Sequence, residues 1–435
     1  MFALLTYRIL LLLLTPIIIL ALVFRSFSNP QYRQRLSERL GFLPSDFSTK
    51  YNNGIIIHAA SVGEVIALTP LVEKLLQQYP NLPITFTTFT PTGSAQVKKQ
   101  FGLRVQHTFL PLDIFPCTHI FLKRLQPQIM VFMETELWPN LIKQCANKKI
   151  KLLLINGRLS DNSMKSYQKI SPLITPTLNY FDKILCQSKD NLNNFIKLGA
   201  DTKRCQVSGN LKFDISINAT IQEKQTKLEN LLPMNRSLWV MASTHPGDDE
   251  IALKAFKLIK EIFPHLLLVL VPRHPERFSS VAKLCANQGY SLVKRSDNQQ
   301  VVQQDIWLLD TLGELMAAYA LADIVTMGGS FSDIGGHNPL EPALFKKPII
   351  VGNDMSNFKE IFLQLQKSKG ILQLSAVGSD IPQQLAQAVI RLLKDDENAN
   401  SLGSHAHNVV LENRGASERT LNQVQKLLES NPSCN

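Results

Sequence analysis

No CxxC pair occurs among the six cysteines, Cys117, Cys145, Cys186, Cys205, Cys285 and Cys434. Their scatter argues against a zinc ribbon and fits thiols kept reduced, as in the cytoplasm. No DxD motif stands at a strand end, so the usual carboxylate pair for a divalent ion is missing. Short tandem repeats and low-complexity tracts are absent, which argues against a solenoid or a compositionally biased tail. Acidic residues are the minority, 35 against 46 Lys and Arg, and the net charge is +11. That balance suits an anionic partner, whether nucleic acid, acidic lipid or a phosphorylated substrate. With no recognised nucleic-acid module and no basic-aromatic stripe, nucleic acid is not expected. His405 and His407 form a lone HxH, read as a solvated helix surface rather than a metal site.

What is present begins with an apolar stretch. Residues 2–24 are apolar except for Thr6, Arg8 and Thr15. Their length is close to the roughly 20 residues that a spanning helix needs. A cleaved signal peptide, a spanning anchor and an interfacial helix compete, and no clear A-x-A cleavage site follows. Arg25, Arg33, Arg35 and Arg39 flank the stretch, which places the bulk of the chain on the cytoplasmic side if the helix spans. A retained single-pass or monotopic anchor is the expectation. Residues 32–40 read as a basic amphipathic helix, lying on acidic headgroups or serving as a solvated linker.

The remainder of the 435 residues has room for two or three domains, and 45% hydrophobic content supplies a sizeable core. Strand candidates at 54–60, 83–90, 105–111, 128–133, 151–156 and 183–187 alternate with helical stretches such as 65–79, 92–100 and 191–198. A second series follows at 238–242, 266–271, 291–294, 306–309, 324–327, 348–351 and 371–374, with helices at 250–262, 278–288 and 312–320 between them. Such alternation implies α/β architecture, with parallel sheets covered on both faces and a ligand cleft at the strand ends. Between the series, 217–236 is polar and charge-rich, with Pro233 near its end. The expected organisation is an anchor at 1–28, a first domain at 29–216, a linker at 217–236, a second domain at 237–400 and a helical segment at 401–435 that frays after Ser430.

Residues 327–343, MGGSFSDIGGHNPLEPA, hold the most specific signal. A buried strand ends there, and four glycines let the backbone turn sharply and approach a ligand. Asn338 suits an N-cap and Pro339 a first helical position. Strand, glycine loop and helix start aim N–H groups and a positive dipole end at one spot, which suits phosphate. Glu341, in the first helical turn, can hold ribose hydroxyls or simply favour the helix start. A capped helix after a glycine turn accounts for the same residues.

Other chemistry-bearing stretches also follow strands. HAASVGEV puts Glu64 at a helix opening, as a base or as a complement to the dipole. METELWPN carries Glu134 and Glu136, which share one face if the chain is extended. NGRLS contributes Arg158. SGNLKFD contributes Lys212, which faces an anion or pairs with Asp214. In the second series, STHPGDDE, VPRHPER and LGEL follow strands in the same way. Arg273, with His274, is held between two prolines and is a ready phosphate clamp.

HAASVGEV, ETELWPN, GNLKFD, VPRHPER and GGHNPLEPA, in this order behind an apolar N-terminus, closely resemble the bacterial Kdo transferases of lipopolysaccharide synthesis, over roughly residues 32–428. The resemblance implies the GT-B architecture, two Rossmann-like domains facing a cleft, with the acceptor on the first and the donor on the second. It implies transfer of 3-deoxy-D-manno-oct-2-ulosonic acid (Kdo) from CMP-Kdo to the lipid A precursor, at the cytoplasmic face of the inner membrane, with no cofactor. It assigns Glu64 as proton acceptor, and Glu134 and Lys212 to transition-state stabilisation. Pro272, Arg273, Gly313, Glu314, Leu315, Asn338, Pro339, Leu340 and Glu341 match CMP-binding positions. Residues 352–358, GNDMSNF, depart from the GPHTFNF-like form of the family, which leaves contacts there unassigned.

Elementary chemistry agrees with that implication. A sugar hydroxyl is a poor nucleophile that a carboxylate base activates, whereas CMP leaves as a stable anion without a general acid. One base then suffices, and direct displacement inverts the anomeric centre. Arg273, Lys212 and the helix start can replace a divalent ion, so metal independence is expected. Lys143, Lys148, Lys149 and Lys151 either meet lipid phosphates or are ordinary solvated lysines. Another GT-B enzyme, such as a nucleotide-sugar epimerase or UDP-sugar transferase, and a membrane-tethered nucleic-acid binder are the competing readings.

Overall fold

The computed structural model describes residues 2–43, 47, 52–232, 236–375 and 378–430. Pro233, Cys434 and the expected fraying beyond Ser430 lie outside the described residues. Two compact units account for the chain. Unit 1 is Met1–Asp214 with Asn413–Asn435, and unit 2 is Ile215–Glu412.

Unit 1 is built on seven strands: β1 (Ile55–His58), β2 (Ile84–Thr88), β3 (Gln106–Phe109), β4 (Ile129–Met133), β5 (Lys151–Gly157), β6 (Lys183–Cys186) and β7 (Cys205–Val207). They pair in parallel in the order β3-β2-β1-β4-β5-β6-β7. The strands read as continuous apolar runs because both faces are covered. Side chains alternate between faces. Ile55 and Ile57 join Leu68, Leu71 and Val72 on one side. Ile56 joins Met130, Phe132, Leu152 and Leu154 on the other. The sheet reverses direction of growth between β1 and β4, the place where such sheets leave a crevice.

The second unit repeats the plan with β8 (Leu238–Thr244), β9 (Leu267–Pro272), β10 (Leu292–Lys294), β11 (Ile306–Leu308), β12 (Ile324–Met327), β13 (Ile349–Val351) and β14 (Leu372–Gln373). The order is β10-β11-β9-β8-β12-β13-β14, again parallel throughout. Here the reversal falls between β8 and β12. The stretch read as a linker contains a helix, Ala219–Glu229, which packs on the helix Leu315–Leu321 of the same unit. Among the observed strands, β7 has no counterpart in the strands expected from sequence: it is three residues long and mixed in polarity.

Residues 32–40 differ from the expected basic surface helix. Tyr32 ends a 3-10 turn, only Leu36–Arg39 is α-helical, and Arg35 breaks the stretch with φ +63°. Arg39 is 2% exposed and donates to the Phe89 carbonyl at 2.7 Å, with its guanidinium over the rings of Phe89 and Phe109. Arg35 donates to Ser94 and to the His107 carbonyl, each at 3.0 Å. Glu38 lies buried beside them and accepts from Phe109 N at 2.9 Å. A charge pattern that looks solvated is turned inward because an internal carboxylate and aromatic faces partner it.

After Asp214 the chain leaves unit 1, and it returns as the helix Ala416–Glu429. The Asp214 carboxylate accepts from Gly415 N at 2.6 Å and also from Ser417 N, so it caps that helix. Val424, Leu427 and Leu428 complete the core beside Leu71 and Leu75.

One glycine fixes how closely β8 and β12 approach. Gly328 N donates to the Ala242 carbonyl at 2.7 Å, and a Cβ at Gly328 would lie 2.7 Å from the Ser243 carbonyl oxygen. Gly328→Ala should therefore cost about 1–3 kcal/mol in urea unfolding of the full chain. Gly63→Ala, inside a helix with its nearest neighbour at 3.9 Å, should be neutral or stabilise by up to about 1 kcal/mol. Equal effects of the two substitutions would refute this packing.

Candidate active site

In unit 1, Ser61 caps the helix Val62–Gln78, accepting from Glu64 N at 3.3 Å. Glu64 reaches back. One carboxylate oxygen accepts from Ala60 N at 2.8 Å, and the other accepts from the Ser61 hydroxyl at 2.8 Å. This is a reciprocal capping arrangement, so Glu64 does serve the helix start. It is also 9% exposed. Burial, then the charge of Glu134, push its carboxyl up to about 7, against the two hydrogen bonds, with Glu136 adding to the rise. A carboxylate held there is matched to taking a proton near neutral pH.

Glu134 follows β4 with φ +56°, and its N–H donates to the Ile155 carbonyl at 2.9 Å. That left-handed turn corrects the expectation that Glu134 and Glu136 share one face. Glu134 lies 3.8 Å from Lys212 Nζ. Glu136 turns the other way, accepting from Trp138 Nε1 at 3.0 Å and lying 3.5 Å from His58 Nε2. Lys212 itself is placed by Asn156, a buried residue with φ +52° whose side-chain oxygen accepts from Leu211 N at 2.9 Å. Asn210 takes the Lys212 N–H at 3.0 Å. The structure thus brings Glu64 and Glu134, which follow the neighbouring strands β1 and β4, together with Lys212, which lies on the chain after the edge strand β7. Arg158, half-buried, follows β5, where its carbonyl accepts from Thr135.

Unit 2 collects its candidates on the corresponding edge. Gly313, Glu314 and Leu315 follow β11, Pro272 ends β9 and Arg273 follows it, and Asn338, Pro339, Leu340 and Glu341 follow β12, three strands of one sheet with β8 between β9 and β12. Arg273 is exposed and its N–H is tied to the Thr244 carbonyl at 3.1 Å. The helix after the glycine loop is Leu340–Leu344, starting one residue later than expected and only five residues long. Asn338 still accepts from Leu340 N at 3.2 Å and donates to Glu341 at 3.2 Å. Burial raises the Glu341 carboxyl, while Asn338 and the nearby charge of Arg273 lower it. Glu314 is buried and committed to an internal pair, with Arg295 at 3.1 Å and a hydrogen bond from Thr311. That stretch therefore offers a ligand its backbone, and the Gly313 carbonyl already accepts from Lys224 at 2.7 Å.

Sequence reasoning missed the residues that hold the glycine loop. Asp248, 1% exposed, accepts from Gly329 N at 2.7 Å and from His245 N at 2.8 Å through one oxygen. Burial pushes its carboxyl up to about 6. Gly336 N then closes on the Gly329 carbonyl at 2.8 Å. The His245 and His337 rings lie almost parallel, with their Nε2 atoms 2.9 Å apart. Burial, then the charge of Arg273, lower His337 to about 4. Arg277 braces the turn between β8 and the helix Asp248–Lys260, which carries Asp248: it pairs with the buried Asp249 and donates to the Thr244 carbonyl at 2.6 Å. Both histidines stand at strand ends in STHPGDDE and GGHNPLEPA, but their meeting depends on β8 lying beside β12.

The family profile described as 3-Deoxy-D-manno-octulosonic-acid transferase (kdotransferase) matches residues 34–215. A 3-deoxy-D-manno-octulosonic acid transferase from Haemophilus influenzae is 42% identical over 98% of this chain and 99% of that protein. One of the same description from Rickettsia bellii is 32% identical over 92% of this chain and 93% of that protein. The crystal structure of a UDP-GlcNAc 2-epimerase from Neisseria meningitidis bound to UDP-GlcNAc is similar with a TM-score of 0.58, over 86% of this chain and 100% of that one. At 14% identity that likeness concerns the fold alone. The chain belongs to the 3-deoxy-D-manno-octulosonic acid transferases, glycosyltransferases of the GT-B architecture.

Proposed function

We propose that the chain transfers Kdo from CMP-Kdo to the lipid A precursor lipid IVA, with inversion, at the cytoplasmic face of the inner membrane. Within this family, the observation that carries the reading is the Glu64 carboxyl, raised to about 7 beside Glu134 and Lys212 at the strand ends of unit 1. Glu64 takes the proton of the acceptor hydroxyl as its oxygen bonds to the anomeric carbon. The bond from that carbon to the CMP phosphate oxygen breaks, and CMP departs with the electron pair. Lys212 supplies positive charge where negative charge develops, and Glu134 holds it in place.

Unit 2 is the donor unit in this reading, and residues 29–216 serve the acceptor. The exposed Arg273 guanidinium meets the phosphate, the Glu341 carboxylate takes ribose hydroxyls, and N–H groups of the glycine loop and of the turn at Gly313 complete the grip. The metal-independent route expected from sequence is part of the same proposal. The helix Phe2–Ser28, which among the described residues is long and apolar enough to cross a membrane, supports an anchor that keeps the enzyme beside its lipid acceptor.

Three measurements test the reading. In an assay with CMP-Kdo generated in place, Glu64→Gln should lower kcat by about 10²–10⁴-fold, with CMP affinity within about twofold. Glutamine keeps an acceptor for Ala60 N–H, so unfolding should shift by no more than about 1 kcal/mol; near-normal turnover would remove Glu64 from the mechanism. Because the base must be ionised, kcat/KM should fall about tenfold per pH unit below about 7 and level off above it. That break should vanish in the residual activity of Glu64→Gln. Calorimetric titration should show CMP binding more tightly than UDP, and Arg273→Ala should weaken CMP by about tenfold or more. A preference for UDP would favour the epimerase or UDP-sugar reading.

A further inference from the structure

The helix Phe2–Ser28 has two unlike sides. One runs through Arg8, Leu11, Thr15, Ile18, Leu22 and Ser26, all partly or wholly shielded, at helical spacing along its whole length. That side is docked on unit 1. Arg8 Nε donates to Asn140 Oδ1 at 2.6 Å, its guanidinium stands over Phe115, and Tyr7 donates to Asp113 at 2.9 Å. Further along, Ile18 packs with Leu40 on Leu112, Ile114 and Cys117. The opposite side, through Leu5, Ile9, Leu13, Ile17, Leu20 and Phe24, is exposed at 53–78% for each residue, and its one polar member, Thr6, donates its hydroxyl to the Phe2 carbonyl at 3.2 Å.

A spanning helix cannot keep these contacts. Seventeen residues separate Arg8 from Arg25, which is about 25 Å of rise. With Arg25 at one headgroup layer, a perpendicular helix would carry Arg8 across most of the roughly 30 Å hydrocarbon core, away from the body of unit 1. Asn140, the partner of Arg8, and Asp113, the partner of Tyr7, are buried in unit 1 and fix the start of the helix Pro139–Asn147: Asp113 accepts from Asn140 N at 3.0 Å and from Leu141 N at 2.7 Å. Spanning would either strip those bonds or pull the unit into the membrane, where unsatisfied polar groups are not tolerated.

We propose that this helix lies flat in one leaflet of an anionic bilayer, its docked side on unit 1 and its naked side in the acyl chains. The exposed stripe is about 29 Å long, too extensive an apolar surface to face water. Cations stand at both ends where headgroups would be: exposed Arg25 at one end, and Lys143 with Arg8 at the other. Those two line a cavity of about 420 Å³ with Phe2, Leu4 and Leu5, which fits the upper part of an acyl chain beneath a phosphate. The inference rests on the membrane reading given above, and it adds that the anchor lies in the membrane without crossing it.

The test uses the full chain with an N-terminal epitope tag. In inverted inner-membrane vesicles, proteinase K should remove both the tag and an epitope in unit 1; in spheroplasts it should reach neither. Removal of the tag in spheroplasts, with unit 1 protected, means a spanning helix and overturns the inference. Recovery of the protein wholly in the soluble fraction would instead overturn the membrane reading itself. Leu13→Glu alters only the naked side, so thermal unfolding should be unchanged, while binding to phosphatidylcholine vesicles containing a quarter phosphatidylglycerol should fall at least tenfold. If Leu13→Glu leaves vesicle binding intact and converts a dimer to a monomer, a second copy of the chain covers the stripe and the inference fails.

Discussion

Every strand pairing in both sheets is parallel, and the rest of the architecture follows from that constraint. Parallel strands need crossovers that return over the faces, so both faces are buried and the strands become apolar runs such as Ile55–His58 and Ile324–Met327. All carboxyl ends then fall on one edge of each sheet. Loops that start there are freed from core packing and can hold polar chemistry. Glu64 and Glu134 follow the two strands on either side of the reversal in unit 1. His245 and the glycine loop do the same in unit 2.

Within that frame, local backbone geometry decides which side chains meet. Glu134 and Asn156 both adopt the left-handed region at strand ends, at φ +56° and +52°. The first points a carboxylate toward Lys212, and the second holds the backbone that carries Lys212. Such conformations cost free energy that surrounding contacts must offset, and they gather at functional sites. Asp248 plays a comparable part in the other unit, where one oxygen restrains both His245 and Gly329. Rigid placement of this kind lets a few charged groups act without reorganising as charge develops.

The alternation of apolar runs and helical periods was legible because strands buried on two faces leave a strong sequence trace. Strand β7 left none: Val207 is 46% exposed and the strand is three residues long at a sheet edge. Glu64 and Arg273 could be read as strand-end residues, since a local pattern is enough to place them there. Their neighbours could not. The contact of His245 with His337, and the separate partners of Glu134 and Glu136, depend on sheet order and on single dihedral angles. Arg35 and Arg39 misled for a related reason. A run of arginines looks solvated unless the carboxylate and aromatic rings that receive it, Glu38, Phe89 and Phe109, are known to lie alongside.

The closing helix of unit 1 bears on how the protein is made. Ala416, Val424 and Leu428 belong to the same core as Ile55 and Leu71, and Asp214 is bonded to the backbone of Gly415 and Ser417. During synthesis, the first-emerging unit must wait for nearly two hundred further residues before its core is filled. Unit 2, although translated later, has all its strands in one uninterrupted stretch. A ribosome-bound intermediate would therefore hold an early unit with an open seam beside a later one whose sheet is already complete.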